Sequence, residues 1–287
     1  MLREVLRDAG VPFAQLRELR LGQTPGLNGL LCAQRPRVAL VVSEGFGDVL
    51  LLWRQNRRDL YDPVARGSGP DLLVARDQVV ECSGRLDAAG EEVQQLAAGD
   101  CRAVARRVAR MRPEAVAVCL LHAHADGRHE RRLGRALREV GLGPVLLSHE
   151  LDAAAQEYER TVSTCTEAWL AAAVDGEIDR LPDRLAAAGF AGRVLVPDRL
   201  GALVPRQGAP RADSLWGSAA ALCAAAAGSG REVLTFDLGS RSLDMSAARD
   251  GATPVAPAGA PAELPLRGAC IDVGAHALGG ATEIGPG

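Results

Sequence analysis

The chain has 287 residues, 47% of them hydrophobic, and a formal net charge of −3 at pH 7. This length suits one large or two moderate globular domains, and the near-neutral charge gives no electrostatic basis for binding nucleic acid or an anionic membrane. No run of 18 apolar residues and no basic-then-apolar secretion signal is present. The seven cysteines are scattered without a CxxC pair, and the chain contains no lysine. We therefore expect a soluble, cytoplasmic protein with buried thiols and without a lysine nucleophile.

Apolar runs alternate with helical patterns in the first half of the chain. Residues 38–42, 115–121 and 144–148 predict buried strands. Helical patterns at residues 101–111 and 129–140 separate them. Strand–helix–strand units of this length predict parallel pairing in an α/β layer, with residues 115–121 as a central strand.

A strand–turn–strand pattern near residue 237 carries the main chemical signal. Residues 233–236 are apolar apart from Thr235 and predict a central strand of a second sheet. Asp237 follows, Gly239 lies in the turn, and residues 243–246 resume an alternating pattern. A glycine turn beside an acid can cradle a phosphate, and the acid can hold a metal ion through water. An ordinary β-hairpin with a polar turn explains the same spacing.

Two polar clusters invite other interpretations. The first contains His122, His124 and Asp126, with His129 and His149 further along. It could hold a metal ion, but hydrogen bonding at the end of a strand is the interpretation that we favour. The second contains Glu157, Glu159 and Arg160. It could act in acid/base chemistry or form an ion-pair latch between domains.

The sequence FDLGSRSLD, residues 236–244, resembles the phosphate-loop motif FDMGGTSTD of the hydantoinase A / 5-oxoprolinase family, which also includes subunits of acetone and acetophenone carboxylases. The matching residues are Phe236, Asp237, Gly239, Ser242 and Asp244. Longer scaffold stretches resemble the family as well, among them RQNRRDLYD from residue 54 and EYERT from residue 157.

The resemblance implies an α/β fold of the actin-like, sugar-kinase-like (ribonuclease H-like) ATPase type with two α/β lobes. Residues 1–157 resemble the N-terminal domain of the family, and residues 158–287 resemble part of its second domain. The first phosphate loop of the family, of the type VDIGGTFTD, has no counterpart in residues 1–157. We therefore expect an incomplete version of the fold.

The resemblance also implies a site for ATP and Mg²⁺. Its residues would be Asp237, Gly239, Ser240, Arg241, Ser242, Asp244, Asp272, Gly279 and Gly280, with Asp237 and Asp244 as magnesium ligands. Ser240 and Arg241 stand where the family has glycine and threonine. Arg241 could bind a phosphate, or it could fill the phosphate volume and pair with an acid. The loss of the glycine favours a rebuilt turn and the second outcome.

Other motifs of the family are altered too. Trp216 and Ser218 replace a serine and a proline at a helix start that reads SGPAAG in relatives, and Gly274 replaces a histidine. Scaffold motifs are thus retained while polar site motifs are changed, which favours a degenerate chain over an active one.

The activity that the resemblance implies is ATP-dependent opening of a cyclic amide such as a hydantoin or 5-oxoproline, or activation of a ketone for carboxylation. We expect a degenerate subunit, inactive alone, that acts in assembly or regulation beside a longer hydantoinase A-type subunit or a hydantoinase B-type subunit. The alternative is an active ATP-binding subunit of a hydantoinase or ketone carboxylase complex, completed by a partner chain. A gene fragment is a third interpretation.

Overall fold

The computed structural model describes residues 15–22, 25–31, 36–54, 61, 74–174, 180–239, 242–259, 264 and 266–277. The chain divides into two compact units. The first unit comprises Met1–Ala33, Val174–Ala262 and Gly268–Gly287, and the second comprises Gln34–Ala173 and Glu263–Arg267. The domain boundary that we predict between residues 157 and 158 stays a prediction.

The described residues form fourteen strands and eight α-helices. The strands are β1 (Glu18–Arg20), β2 (Val38–Ser43), β3 (Val79–Cys82), β4 (Arg85–Leu86), β5 (Glu92–Gln94), β6 (Ala115–Cys119), β7 (Val145–Leu147), β8 (Arg193–Pro197), β9 (Leu203–Pro205), β10 (Val233–Leu238), β11 (Ser242–Ala248), β12 (Val255–Gly259), β13 (Leu266–Ile271) and β14 (Gly274–Ala277). The helices are α1 (Pro25–Leu31), α2 (Val49–Leu52), α3 (Ala98–Met111), α4 (Arg128–Glu139), α5 (Ser148–Leu151), α6 (Glu157–Ala173), α7 (Leu181–Ala187) and α8 (Gly217–Ala227). Within the described ranges, none of these helices has the length and apolar character needed to span a bilayer.

The second unit is built on a four-stranded parallel sheet with the strand order β3-β2-β6-β7. Every residue of β2 and of β6 is buried. Strands that are covered on both faces need apolar side chains on both, which explains their continuous apolar sequences. Because β6 lies between β2 and β7, the prediction of a central strand at residues 115–121 is confirmed, with the strand itself ending at Cys119.

Helices cover both faces of this sheet. The buried stripe of α3 repeats at helical spacing and consists of Cys101, Val104, Ala105 and Val108. This stripe and the apolar side of α4 share one core with Val116 and Val118 of β6. On the other face, the Thr161 hydroxyl of α6 lies 3.2 Å from the Cys119 sulfur. The second unit is therefore a helix–sheet–helix sandwich.

Smaller sheets form the first unit. Strand β1 pairs in parallel with β8, and β8 pairs antiparallel with β9. Strands β10, β11 and β14 form an antiparallel sheet. Helix α8 packs on β10 and β11 and buries the small side chains of Ala220, Cys223 and Ala227. Small residues let a helix approach a sheet closely, which explains the alanine-rich sequence of α8.

Strand β10 lies at the edge of its described sheet, so the prediction that residues 233–236 form a central strand is wrong. Leu234, Phe236 and Leu238 are 60%, 53% and 61% exposed. Side chains alternate along a strand, and the other face carries Thr235 and Asp237. An apolar run does not show whether both faces of a strand are covered. We call the three exposed side chains the β10 apolar face.

Candidate functional site

The two acids of the phosphate-loop motif face each other across the β10–β11 hairpin. Asp237 and Asp244 are direct cross-strand partners. Such partners have Cβ atoms about 5 Å apart on one face of the sheet. The Gly239 N–H donates to the Ser242 carbonyl at 2.9 Å, so the pairing extends to both sides of residues 240 and 241. The hairpin thus brings together the two predicted magnesium ligands.

Ser218 joins this pair from the start of α8. Its hydroxyl donates a hydrogen bond to Oδ2 of Asp237. A Cβ atom at Gly22 would lie 3.1 Å from the Ser218 Cβ, so the turn at Gly22 reaches the same place. Three stretches far apart in sequence therefore meet here. We predicted no contact for Ser218 from the sequence, and the available signal was its position at a helix start that the family motif marks.

Asp244 is a buried carboxylate with an unsatisfied oxygen. The residue is 2% exposed, and its Oδ1 has no hydrogen-bond partner among the described residues. The pKa of Asp244 is raised to about 6, mainly by burial and also by the charge of Asp237, while His276 acts in the opposite direction. The ionised form of Asp244 is thus disfavoured and would gain from a nearby cation.

The acid pair fits a magnesium ion. Mg²⁺ prefers oxygen ligands and usually takes one or two carboxylates from a protein, together with phosphate and water. Oδ1 of Asp244 could bind such an ion, whose charge would offset the repulsion between the two acids. In the described part of the chain, no cluster of three or more His, Cys, Asp or Glu side chains could hold a metal ion. An ion bound here would therefore complete its coordination with phosphate or water.

Asp272 is attached to the same hairpin through its backbone. Its carbonyl accepts a hydrogen bond from the Ser246 hydroxyl at 2.7 Å, and its N–H donates to the Pro254 carbonyl at 3.0 Å. Ser246 and Asp244 lie on the same buried face of β11. Asp272 itself is exposed. Its predicted place in a nucleotide or substrate cleft stays a prediction.

Several predicted site residues lie outside the described residues, namely Ser240, Arg241, Gly279 and Gly280. Their roles in nucleotide binding stay predictions. Of the two turn residues that are described, Ser242 is buried and Gly239 is exposed. The described candidate site therefore consists of the acid pair, Ser218 and the backbone around them.

Trp216, the bulky residue at the altered helix start, is part of the interior of the first unit. It is 4% exposed, and the Arg199 guanidinium lies 5.2 Å from its ring centre. A Cβ atom at Gly259 would collide with the ring. Arg199 also pairs with Asp213 at 2.7 Å. These contacts give Trp216 a packing role, and none of them involves the acid pair.

Three histidines of the second unit take part in hydrogen bonds. The pairs are His129–Glu92 at 2.6 Å, His149–Glu130 at 2.7 Å and His124–Arg160 at 3.1 Å. Hydrogen bonding near the end of a strand is confirmed for His124, which follows β6, whereas His129 and His149 lie in helices α4 and α5 and His129 is buried.

The contacts of Arg160 lie within the second unit, and the interpretation as an ion-pair latch between domains stays a prediction. Arg160 is fully buried, and its hydrogen bonds go to other residues of the second unit. Glu159 pairs with Arg54 at 2.9 Å, also within the second unit. Arg160 shares a helix face with Thr164, which is itself fully buried, so this face of α6 points into the core. A charged stretch in sequence does not reveal which of its members points into the core.

Comparison with known proteins gives two matching family models. The model of the hydantoinase/oxoprolinase N-terminal region matches residues 1–141, and the hydantoinase/oxoprolinase model matches residues 160–285. The acetophenone carboxylase gamma subunit of Aromatoleum aromaticum is 30% identical over 190 residues, which are 62% of this chain and 26% of that protein. The 5-oxoprolinase of Saccharomyces cerevisiae is 27% identical over 198 residues, which are 59% of this chain and 15% of that enzyme.

Two solved structures share the fold. A nucleotide-free structure of acetone carboxylase matches with a TM-score of 0.83 at 19% identity, over 95% of this chain and 41% of that chain. The ATP-dependent caprolactamase from Pseudomonas jessenii matches with a TM-score of 0.68 at 22% identity, over 97% of this chain and 42% of that chain. This likeness confirms the α/β, actin-like ATPase fold. The chain spans less than half the length of each of these proteins. Because the two matched family regions together take in nearly all of it, the chain belongs to the hydantoinase/oxoprolinase family.

Proposed function

We propose that this chain is a subunit of an ATP-dependent enzyme that acts on cyclic amides or ketones, and that it serves assembly or regulation rather than turnover. Its partner would be a longer hydantoinase A-type subunit or a hydantoinase B-type subunit. The class of chemistry is suggested by relatives named as a carboxylase subunit, a 5-oxoprolinase and an ATP-dependent caprolactamase. The supporting role is suggested by one contact, the hydrogen bond from Ser218 to Asp237.

This contact changes the part that Asp237 can play. Proline, which the family motif has at the position of Ser218, carries no side-chain donor, whereas serine carries a hydroxyl. Asp237 is the acid that would face a magnesium–nucleotide complex. Its Oδ2 accepts a hydrogen bond from the Ser218 hydroxyl. A hydrogen bond to a charged group contributes about 1.5–3 kcal/mol, which an incoming ion has to offset if it takes this oxygen. Asp237 then acts in holding α8 to the hairpin.

The alternative is an active ATP-binding subunit that a partner chain completes. The observation that favours it is the second acid of the pair, because Oδ1 of Asp244 is buried without a partner among the described residues. An unsatisfied buried carboxylate oxygen is costly in free energy, and a bound Mg²⁺ ion would relieve that cost. In this case ATP and Mg²⁺ bind at the hairpin, and the acids position the ion against the phosphates.

Calorimetric titration with magnesium and ATP distinguishes the two. We expect no saturable binding by the wild type and measurable binding by Ser218→Ala, which frees the Asp237 oxygen. Ser218→Thr is the matched control, because it keeps a hydroxyl at the same position and should behave as the wild type. Saturable binding by the wild type that Asp237→Ala abolishes would establish the alternative.

The proposed partnership needs its own experiment. The chain is expressed together with a hydantoinase B-type subunit, and separately with a longer hydantoinase A-type subunit, from the same genome. Light scattering after size exclusion then shows whether a complex forms, and the ATPase rate of the partner is measured with and without this chain. A partner that neither binds the chain nor changes its rate would rule out a role in assembly or regulation.

A further inference from the structure

A second polar site lies in the second unit, at the carboxyl end of its central strand. In the strand order, β3 is the neighbour of β2 toward one edge of the sheet. The chain then continues through β6 and β7, which lie toward the opposite edge. The strand order therefore reverses between β2 and β6. In open parallel α/β sheets, ligands bind outside the carboxyl ends of the strands at such a point of reversal. The residues that follow β6 are thus in a favourable place for a ligand.

Two histidines occupy the turn that follows β6. His122 and His124 are both half-buried, and their ring centres are 6.0 Å apart. His122 has a φ of 59°, a left-handed conformation that is uncommon for a residue other than glycine. Two imidazoles at this separation can reach one small ligand placed between them.

A fully buried arginine lies behind His124. The Arg160 guanidinium donates to the carbonyls of Leu120 and Ala154 at 2.7 and 2.8 Å, and Nη1 lies 3.1 Å from Nδ1 of His124. Its charge is balanced through Ser148, whose hydroxyl accepts from Nε of Arg160 at 3.1 Å and donates to Glu130 at 2.6 Å. Arg160, Ser148 and Glu130 are each fully buried. This network holds the arginine rigidly against the imidazole.

The arginine fixes which nitrogen of His124 carries the proton. A guanidinium has only donors, so Nδ1 of His124 has to accept and the ring hydrogen has to lie on Nε2. Burial lowers the pKa of His124, and the charges of Arg160 and His122 lower it further, which favours the neutral ring. A neutral ring with its hydrogen on Nε2 has no lone pair there for a metal ion. It instead presents an N–H donor backed by a positive charge.

We propose that His124, with His122 beside it, forms a binding site for a small oxyanion of the carboxylate, bicarbonate or phosphate class. The N–H donor of His124 and the guanidinium behind it both favour negative charge. Asp126, on the same turn, already pairs with Arg128 and Arg131 at 2.7 and 3.2 Å, so its charge is offset. The site is formed by residues of the second unit alone and does not depend on nucleotide binding at the hairpin.

Nitrogen-15 NMR of the imidazole side chains tests this in the whole chain. We expect His124 in the Nε2–H tautomer in the wild type, a measurement that needs no variant. Sodium phosphate, bicarbonate and acetate are then titrated separately at constant ionic strength, with chloride as the reference. Saturable changes in the nitrogen chemical shifts of His122 and His124 with any of the three anions would support the proposed anion site. The anion whose titration saturates at the lowest concentration identifies the chemical class of the ligand.

Variants define which side chains bind. His124→Gln should weaken the binding at least about tenfold, as expected for loss of a charge-assisted hydrogen bond. His276→Gln, in the first unit, is the matched control and should leave it unchanged. The proposal would be overturned if His124 were in the Nδ1–H tautomer. It would also be overturned if no anion gave saturable changes in chemical shift, or if His276 showed changes equal to those of His122 and His124.

Discussion

Replacing Asp244 with asparagine is expected to stabilise the first unit at neutral and alkaline pH. The pKa of Asp244 is raised from 3.8 to about 6, mainly by burial and next by the charge of Asp237. A tenfold change in a proton equilibrium corresponds to about 1.4 kcal/mol, so the ionised side chain costs the folded state about 3 kcal/mol. Asparagine keeps the shape of aspartate and removes the charge. Asp244→Asn should therefore raise the free energy of unfolding by up to about 3 kcal/mol at pH 8.

The sign of this effect with pH follows from the two protonation equilibria. Below pH 3.8 the Asp244 carboxyl is protonated in both the folded and the unfolded chain, and the cost is absent. As pH rises from 3.8 to about 6, the unfolded chain ionises first, so the wild type loses stability. Above this range both states are ionised and the cost is complete. The difference between variant and wild type should thus be small near pH 4 and largest near pH 8.

Urea denaturation at both pH values measures the effect. Asp272→Asn is the matched control, because Asp272 is exposed, and it should change the free energy of unfolding by less than about 0.5 kcal/mol. Under the alternative of an active subunit, magnesium would stabilise the wild type at pH 8 but not Asp244→Asn, whereas under the proposed supporting role it would stabilise neither. The reasoning would be refuted if Asp244→Asn were less stable than the wild type at pH 8. It would also be refuted if the free energy of unfolding changed by the same amount at both pH values.

Further predictions concern activity and surface. The isolated chain should release phosphate from ATP no faster than buffer does, and turnover that depends on Asp237 would contradict the proposed supporting role. The double change Ser240→Gly with Arg241→Thr restores the family residues and should tighten Mg–nucleotide binding measured by calorimetry. If the wild type binds and the double variant does not, Arg241 is a ligand. The β10 apolar face should bind a hydrophobic dye, with less fluorescence after Leu234→Ser with Phe236→Ser. A wild type that binds no dye and stays monomeric at high concentration would count against it.

The parallel sheet of the second unit could be predicted from the sequence because its strands are covered on both faces. Residues 115–121 contain no polar alternation, and helices pack on each side of the strand that forms there. The same argument fails for residues 233–236. Leu234 and Phe236 lie on one exposed face, while Thr235 is buried on the other face. A short apolar run is compatible with both arrangements, and only the packing of other elements decides between them.

The candidate site could be predicted in part. The motif spacing identified Asp237 and Asp244, and the register shows them paired. The hydrogen bond from Ser218 could not be predicted, because it joins residues 19 apart through the packing of a helix on a hairpin. The buried position of Arg160 could not be predicted either, since it depends on which face of α6 meets the sheet. Pairwise contacts of this kind are set by tertiary packing rather than by local pattern.

The register of the β10–β11 hairpin limits how its loop can change in evolution. Asp237 lies opposite Asp244, and Thr235 lies opposite Ser246. One residue inserted between the strands, without a compensating bulge, would turn every later side chain of β11 to the other face of the sheet. Asp244 and Ser246 would then no longer be on the face of the sheet that packs against α8, and Met245 would be on that face. The pairing of Asp237 with Asp244 therefore depends on the number of residues that join the two strands.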